Sequence, residues 1–414
     1  MKILLSAYAC EPNKGSEPGV GWNWALEIEK LGHEVWVLTR KNNQGAIEEY
    51  FKNNAKIESI NFIYYDVPKW LSWWKKGGRG VHLYYFFWQF GAFLKARLAH
   101  KRFKFEKIQH ITFVTVRQPS FMGLLGVPFI FGPVGGGERA PYALRKAFGA
   151  KGWIKDFFRD IVNYLIKFDP FMHVTFKTAR EIYVTSEQTK QLIPFFYRKK
   201  AKVQLAIGFD ESTITKRKTS NKSSSEPLKL LYVGRFEYWK GMGLGIQAFA
   251  KLLQKLPNTT LTMVGKGPDE KQWKDLAARL EITDKITWIA WADQSALKKF
   301  YQEHDVFLFP SLHDSGGMVV LEAMSNSLPV ICLDLGGPGV IVDASSGIKV
   351  DLKGLTEEQI VFDLSQAISD LAGNFNHRQL LAQGALIRST DMNWAAVVNS
   401  VYYNSKINTG ILLE

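Results

Sequence analysis

Short apolar runs alternate with helical stretches from the first residue onward. KILLSAYA, HEVWVLTR, ESINFIYYDV, KIQHITFV, VPFIFGP and EIYVTS are rich in aliphatic, β-branched and aromatic residues, as strands are. Segments such as WNWALEIEKLG lie between them and place apolar residues at helical spacing. This alternation predicts a parallel sheet with crossover helices. Over residues 209–227 the pattern lapses into FDESTITKRKTSNKSSSEP, a polar stretch that cannot supply a core and ends in proline, and this is the expected linker. The alternation restarts with LKLLYVG, TTLTMVG, KITWIA, DVFLF, LPVICL and GIKV, separated by GLGIQAFAKLLQKL, DEKQWKDLAARL and SALKKFYQEH. The reading is an α/β chain of two Rossmann-like parallel-sheet domains, residues 1–208 and 228–388. A closing helix within 389–414 is expected to pack back on the first domain.

One segment breaks the rhythm. In KWLSWWKKGGRGVHLYYFFWQFGAFLKARLAHKRF, which fills most of residues 70–105, aromatics crowd together and basic residues follow. Two readings stand: a buried crossover helix behind a glycine loop, or aromatics at headgroup depth flanked by cations that attract anionic lipid.

Composition narrows the partners. The chain has 414 residues, enough for two cores, and a formal charge of +14, which favours anionic partners such as nucleotide diphosphates, acidic lipid or nucleic acid. The basic runs sit in no nucleic-acid motif, so nucleic acid is not expected. Cys10 and Cys332 are far apart and read as core residues, which excludes a disulfide scaffold or a zinc site and suits a reducing compartment. No apolar run reaches the roughly eighteen residues of a membrane span, and the N-terminus reads as a strand entering a polar loop. The expected location is cytoplasmic, at the inner face of the membrane if the 70–105 segment touches lipid.

Chemistry concentrates at predicted strand ends, where open α/β sheets bind ligands. VGRFEYWKG puts Gly234, Arg235 and Lys240 after one strand, and two cations there suit a diphosphate leaving group. MVGKGPDE puts Gly265 and Gly267 after the next, where a missing Cβ permits close approach to a base or phosphate. DVFLFPSLHDSGGMVVLEAMSNSLPVICLDLGGPG reads as strand, polar loop, helix, strand and glycine loop. Its residues Ser315, Gly316, Gly317 and Met318 form a predicted pyrophosphate cradle at a helix mouth. Glu322, one turn farther in, lies in an otherwise apolar helix and needs a hydrogen-bonding partner, for which ribose hydroxyls are suited.

These motifs resemble glycosyltransferase family 4, the retaining family of GT-B fold. Asp314 and Glu322 have its acidic spacing, and VGRFEYWKG, MVGKGPDE and LPVICLDLGG follow its order over most of the second domain. The resemblance implies two domains facing a central cleft, a nucleotide-sugar donor, no cofactor and no metal. It implies further that Arg235 and Lys240 hold the diphosphate, Glu322 the ribose, and Asp314 a hydroxyl of the transferred sugar. Asp314 stands where the family usually has Glu, and Ser327 where it favours Gly.

In the first domain, NKGSEPGVGW places Gly15, Glu17 and Gly19 in a loop before a helix. It lacks the spacing of a nicotinamide site. By the resemblance Gly15 and Gly19 would contact the donor and Glu17 the acceptor. His110 ends KIQHITFV and resembles a histidine that related enzymes place near the reacting sugar. Arg117, Glu138 and Arg139 lie at later strand ends and are assigned to the acceptor, a glycan or lipid-linked hydroxyl. The implied work is assembly of bacterial surface polysaccharide. Other enzymes of this fold, of epimerase or phosphorylase type, and an inactive glycan-binding scaffold are the alternatives.

Overall fold

A computed structural model describes residues 1–75, 77, 79–210 and 226–403. Residues 211–225 of the expected linker and 404–414 of the closing segment lie outside the described residues. Two compact units result: 1–137 with 160–207 and 394–414, and 138–159 with 208–393.

The first unit is built on a seven-stranded parallel sheet of β1 (Lys2–Ala7), β2 (Glu34–Thr39), β3 (Ile60–Tyr64), β4 (Lys107–Thr112), β5 (Phe129–Val134), β6 (Glu181–Val184) and β7 (Ala201–Val203), in the order 3-2-1-4-5-6-7. Ile3, Leu4 and Leu5 of β1 are fully buried. Continuous burial follows from helices on both faces, and it explains why the strands read as apolar runs without alternation. The chain reverses direction across the sheet between β1 and β4, where Ser6 is in register with His110. The crossover helix Ser16–Lys30 buries Trp24, whose indole N–H donates to the Ala206 carbonyl at 2.8 Å. The last described helix, Trp394–Tyr402, packs on Ser16–Lys30, and the Tyr402 hydroxyl donates to Gln109 Oε1 at 2.8 Å.

The 70–105 segment has a buried row and an exposed row. In the helix Val81–Phe103, Tyr85, Trp88, Ala92 and Ala96 are buried in the core, while Leu83, Phe90, Leu94 and Leu98 are exposed. Trp70 and Trp73, ahead of it, are exposed as well.

The second unit carries six parallel strands, β8 (Lys229–Val233), β9 (Thr260–Val264), β10 (Ile286–Ile289), β11 (Val306–Phe309), β12 (Val330–Leu333) and β13 (Gly347–Val350), ordered 10-9-8-11-12-13. This order has its reversal between β8 and β11. Cys332 in β12 and Cys10 in the first unit are both buried and unpaired. Residues 138–159 belong here, a correction to the reading that kept them in the first domain. The reason is polar: Glu138, Asp156 and Arg159 find their partners in the loop after β11. Composition cannot reveal such pairings.

Trp24 measures how tightly the first unit is closed. Replacing it with Phe keeps most of the apolar volume but strands the Ala206 carbonyl, and should cost about 1–3 kcal/mol in chemical denaturation. An unchanged midpoint would mean that this bond contributes nothing.

Candidate active site

The reversal point of the second unit is formed by two loops fastened to each other. After β8 the chain passes through Gly234, Arg235, Phe236, Glu237, Tyr238, Trp239 and Lys240 into the helix Met242–Leu253. After β11 it passes through His313 to Gly317 into the helix Met318–Ser325. The Leu312 N–H donates to the Trp239 carbonyl at 2.7 Å. Gly241 has φ +69°, and a Cβ there would lie 1.9 Å from the Pro310 carbonyl oxygen, so only glycine lets the two loops come this close.

Asp314 joins both loops. Its Oδ2 accepts from Lys240 Nζ at 2.6 Å, and both side chains are mostly buried. Its Oδ1 accepts from the Gly316 and Gly317 N–H groups at 3.1 and 3.0 Å. Gly317, at φ +79°, turns the chain into the helix. The carboxylate therefore sits as an anion at a helix mouth, a favourable place for negative charge. The next two N–H groups, of Met318 and Val319, have no acceptor among the described residues.

Arg235 is largely exposed and donates to Glu237 Oε1 at 2.6 Å. Glu322 lies on the inward turn of Met318–Ser325, and burial raises its carboxyl above the usual range although the Tyr301 hydroxyl donates to Oε2 at 3.0 Å. Glu322 Oε1 has no partner among the described residues.

A buried polar cluster adjoins this loop pair. His313 Nδ1 faces the Arg159 guanidinium, so that nitrogen is the acceptor and Nε2–H donates to Asp156 Oδ2 at 3.0 Å. Burial pushes the His313 imidazole down, and Arg159 adds to that effect, so it is held neutral. Burial alone would raise the Asp156 carboxyl, but the His313 hydrogen bond and the nearby Arg145 and Arg159 outweigh it and hold it below its ordinary value. The Tyr238 hydroxyl donates to Asp156 Oδ1 at 3.1 Å, and the Ser315 hydroxyl to Glu138 Oε2 at 2.6 Å. A cavity of about 240 Å³ opens here, lined by Lys155, Arg159, Trp239 and Ser315 among others.

The structure brings Arg235, Lys240, Asp314, Ser315, Gly316, Gly317, Met318 and Glu322 to one edge of one sheet. It also corrects several assignments. Gly316 and Gly317 do not present free N–H groups, because Asp314 holds them, and the Ser315 hydroxyl is engaged by Glu138. Gly265 and Gly267 lack a Cβ for the sake of the protein's own backbone: a Cβ there would lie 1.9 Å from the Gly234 carbonyl oxygen and 2.2 Å from that of Phe236. Glu138 is fully buried in the second unit, and Arg139 covers the Tyr142 ring. Sequence reasoning missed Tyr301, Asp156, Arg159 and His313. Only His313 left a trace, as a histidine beside the acid of a polar strand-end loop.

In the first unit, Gly15 is open, but Gly19 is buried, and a Cβ on it would lie 2.0 Å from the Lys14 carbonyl oxygen, so loop packing requires its missing side chain. Glu17 Oε1 accepts from the Val114 N–H at 2.7 Å, and burial raises its carboxyl. Arg117 donates to Asn163 Oδ1 at 2.7 Å and to the Gly136 carbonyl. His110 is fully buried, against the expectation of a residue open to a sugar. Its Nε2 lies 3.3 Å from the Tyr85 hydroxyl, and burial pushes the imidazole down to about 4.

That depressed value sets a pH dependence. The unfolded chain takes up the His110 proton first, so the stability from this group is complete above the ordinary value of 6.5 and is lost as pH falls toward about 4. Urea unfolding at pH 7 and pH 5 should show wild type losing about 2 kcal/mol more than His110→Gln over that interval. Equal losses would contradict a neutral buried imidazole.

Residues 213–380 match the model of glycosyl transferases group 1. An uncharacterized glycosyltransferase of Methanocaldococcus jannaschii is 27% identical over 208 residues, 47% of this chain and 52% of that protein. The chain spans about half the length of the curated relatives it matches. Among solved structures, sucrose-phosphate synthase from Thermosynechococcus elongatus is 18% identical with a TM-score of 0.61, over 99% of this chain and 100% of that one. Anabaena HepE, solved in complex with UDP, is 15% identical with a TM-score of 0.59, over 98% and 100%. Likeness at this identity speaks to the fold alone, which is GT-B.

Proposed function

We propose, from the match of residues 213–380 to the model of glycosyl transferases group 1, that the protein moves a sugar from a nucleoside diphosphate donor to a hydroxyl acceptor with retention at the anomeric carbon. The observation that carries the reading is the group at the end of β8 and β11. Lys240, Arg235 and the open N–H groups of Met318 and Val319 sit at the reversal point of a parallel sheet. As the bond from the anomeric carbon to the diphosphate oxygen breaks, negative charge grows on that oxygen. Two cations and a helix N-terminus meet it without a metal or cofactor. The acceptor oxygen bonds to the carbon on the face the diphosphate leaves, and its proton passes to the departing phosphate.

The other residues divide the remaining work. Glu322 uses its unpartnered oxygen to accept from a ribose hydroxyl, with Tyr301 fixing the other oxygen. Asp314 gives up part of its present bonding to the sugar's hydroxyls when the diphosphate takes Lys240. The acceptor is a glycan or a lipid-linked hydroxyl of bacterial surface-polysaccharide assembly. Glu17 and Arg117, each held by hydrogen bonds within the first unit, are the acceptor-side candidates there, while His110 is fully buried.

Calorimetric titration with UDP, GDP, ADP and TDP tests this reading. One nucleotide should bind the wild type and lose most of its affinity in Glu322→Ala; binding of none, or equal binding in the variant, would favour an inactive glycan-binding scaffold or a different site. With that donor's sugar, Arg235→Ala and Lys240→Ala should each lower turnover by about a hundredfold or more, with the fold intact. Normal turnover in both would remove the diphosphate assignment. Anomeric retention is read directly from the product by proton NMR.

A further inference from the structure

The helix Gly149–Leu165 is built inside out. A surface helix normally turns its apolar stripe to the core and its polar face to water. Here Trp153, Ile154, Phe157, Phe158, Ile161 and Leu165 fall on one face at helical spacing, and all are exposed, Phe158 by 61% and Leu165 by 53%. The residues facing inward are polar. Within the second unit Asp156 is buried among His313, Tyr238 and Arg145, and within the first Asn163 is buried against Arg117. Hydrogen bonds and ion pairs hold the helix in place, leaving its apolar face without a partner among the described residues.

The exposed stripe continues past the helix. Phe168 and Phe171 are exposed, and the Phe171 ring lies 5.3 Å from Phe86 and 6.0 Å from Phe121, which in turn meets Phe90 at 6.0 Å. Phe90 belongs to the exposed side of Val81–Phe103, together with Leu94 and Leu98. That helix contains no acidic residue, while Lys95, Arg97 and Lys101 are exposed along it. Lys151 and Lys155 are exposed beside the stripe on Gly149–Leu165. No helix among the described residues is long and apolar enough to cross a membrane.

We propose that the exposed face of the first unit formed by Ile161, Leu165, Phe168, Phe171 and the outer side of Val81–Phe103 is a docking surface for an anionic lipid bilayer, with the aromatic and aliphatic side chains entering the headgroup–acyl boundary. Charge selects this occupant over a second copy of the chain. Two such faces, each bordered by lysine and arginine on a chain of net charge +14, repel each other, whereas anionic headgroups attract both. The inference goes beyond the transferase reading and does not depend on it.

Vesicle flotation with the full chain tests it, using phosphatidylcholine vesicles with and without 30 mol% (about a third) phosphatidylglycerol. Wild type should float with the anionic vesicles and be released by high salt in part. Leu165→Ser with Phe168→Ser should lower the partition by at least about tenfold while the melting temperature holds. Leu380→Ser with Ile387→Ser, which removes two equally exposed apolar side chains elsewhere, should leave partition unchanged. Should the first pair fail to fold, Lys95→Glu with Lys101→Glu gives the same reading through charge. Absence of wild-type flotation, flotation of the face variants equal to that of the wild type, or a wild-type dimer that the face variant turns into monomer would overturn the proposal.

Discussion

The Asp314 carboxylate is the point on which the second unit's reversal site depends. One oxygen takes the Lys240 ammonium and the other takes two backbone N–H groups that open a helix, so a single residue fixes the ends of both the β8 and the β11 loop. Glycines make this possible. Gly241 lets one loop meet the other's backbone, and Gly317 turns the chain so that its N–H points back at the carboxylate. Lys240, Gly316 and Gly317 touch this residue directly, and Glu322 lies farther along the helix at whose mouth it sits. The Asp314 carboxylate thereby engages both the Lys240 ammonium and the N–H groups at the helix mouth.

That arrangement accounts for what the sequence discloses and what it withholds. Apolar runs such as LKLLYVG and DVFLF are strands because both faces of a parallel sheet are covered, and they could be read directly. Arg235, Lys240 and Asp314 follow strands and Glu322 interrupts an otherwise apolar helix, so the sequence alone marks them as candidates. The partners of those residues carry no such mark. Tyr301 lies on an ordinary amphipathic helix, and nothing in its local pattern sets it against Glu322. Asp156 and Arg159 lie more than a hundred residues from His313 in sequence, and a polar pair at that separation leaves no period to detect. Glycine was the most misleading signal. Gly19, Gly265 and Gly267 announce close approach, and approach occurs, but to the chain's own carbonyls.

The domain boundary failed for a related reason. Hydrophobic pattern assigns 138–159 to the domain whose strands precede it, yet contacts with the β11 loop assign it to the second unit. Those contacts are polar and leave the apolar residues of Gly149–Leu165 on the outside. A segment that spends its polar side chains on the fold and its apolar ones on solvent is shaped by something beyond folding. The same division runs through Val81–Phe103, whose inner row builds the core and whose outer row is left bare.

A structure of the protein with its bound nucleoside diphosphate tests the central claim most directly. The account places the terminal phosphate within hydrogen-bond reach of Lys240 Nζ and of the Met318 and Val319 N–H groups, with a ribose hydroxyl on Glu322 Oε1 and the Lys240–Asp314 pair drawn apart. A diphosphate bound elsewhere, with Asp314 still holding Lys240 and the Gly316 and Gly317 N–H groups, would contradict it.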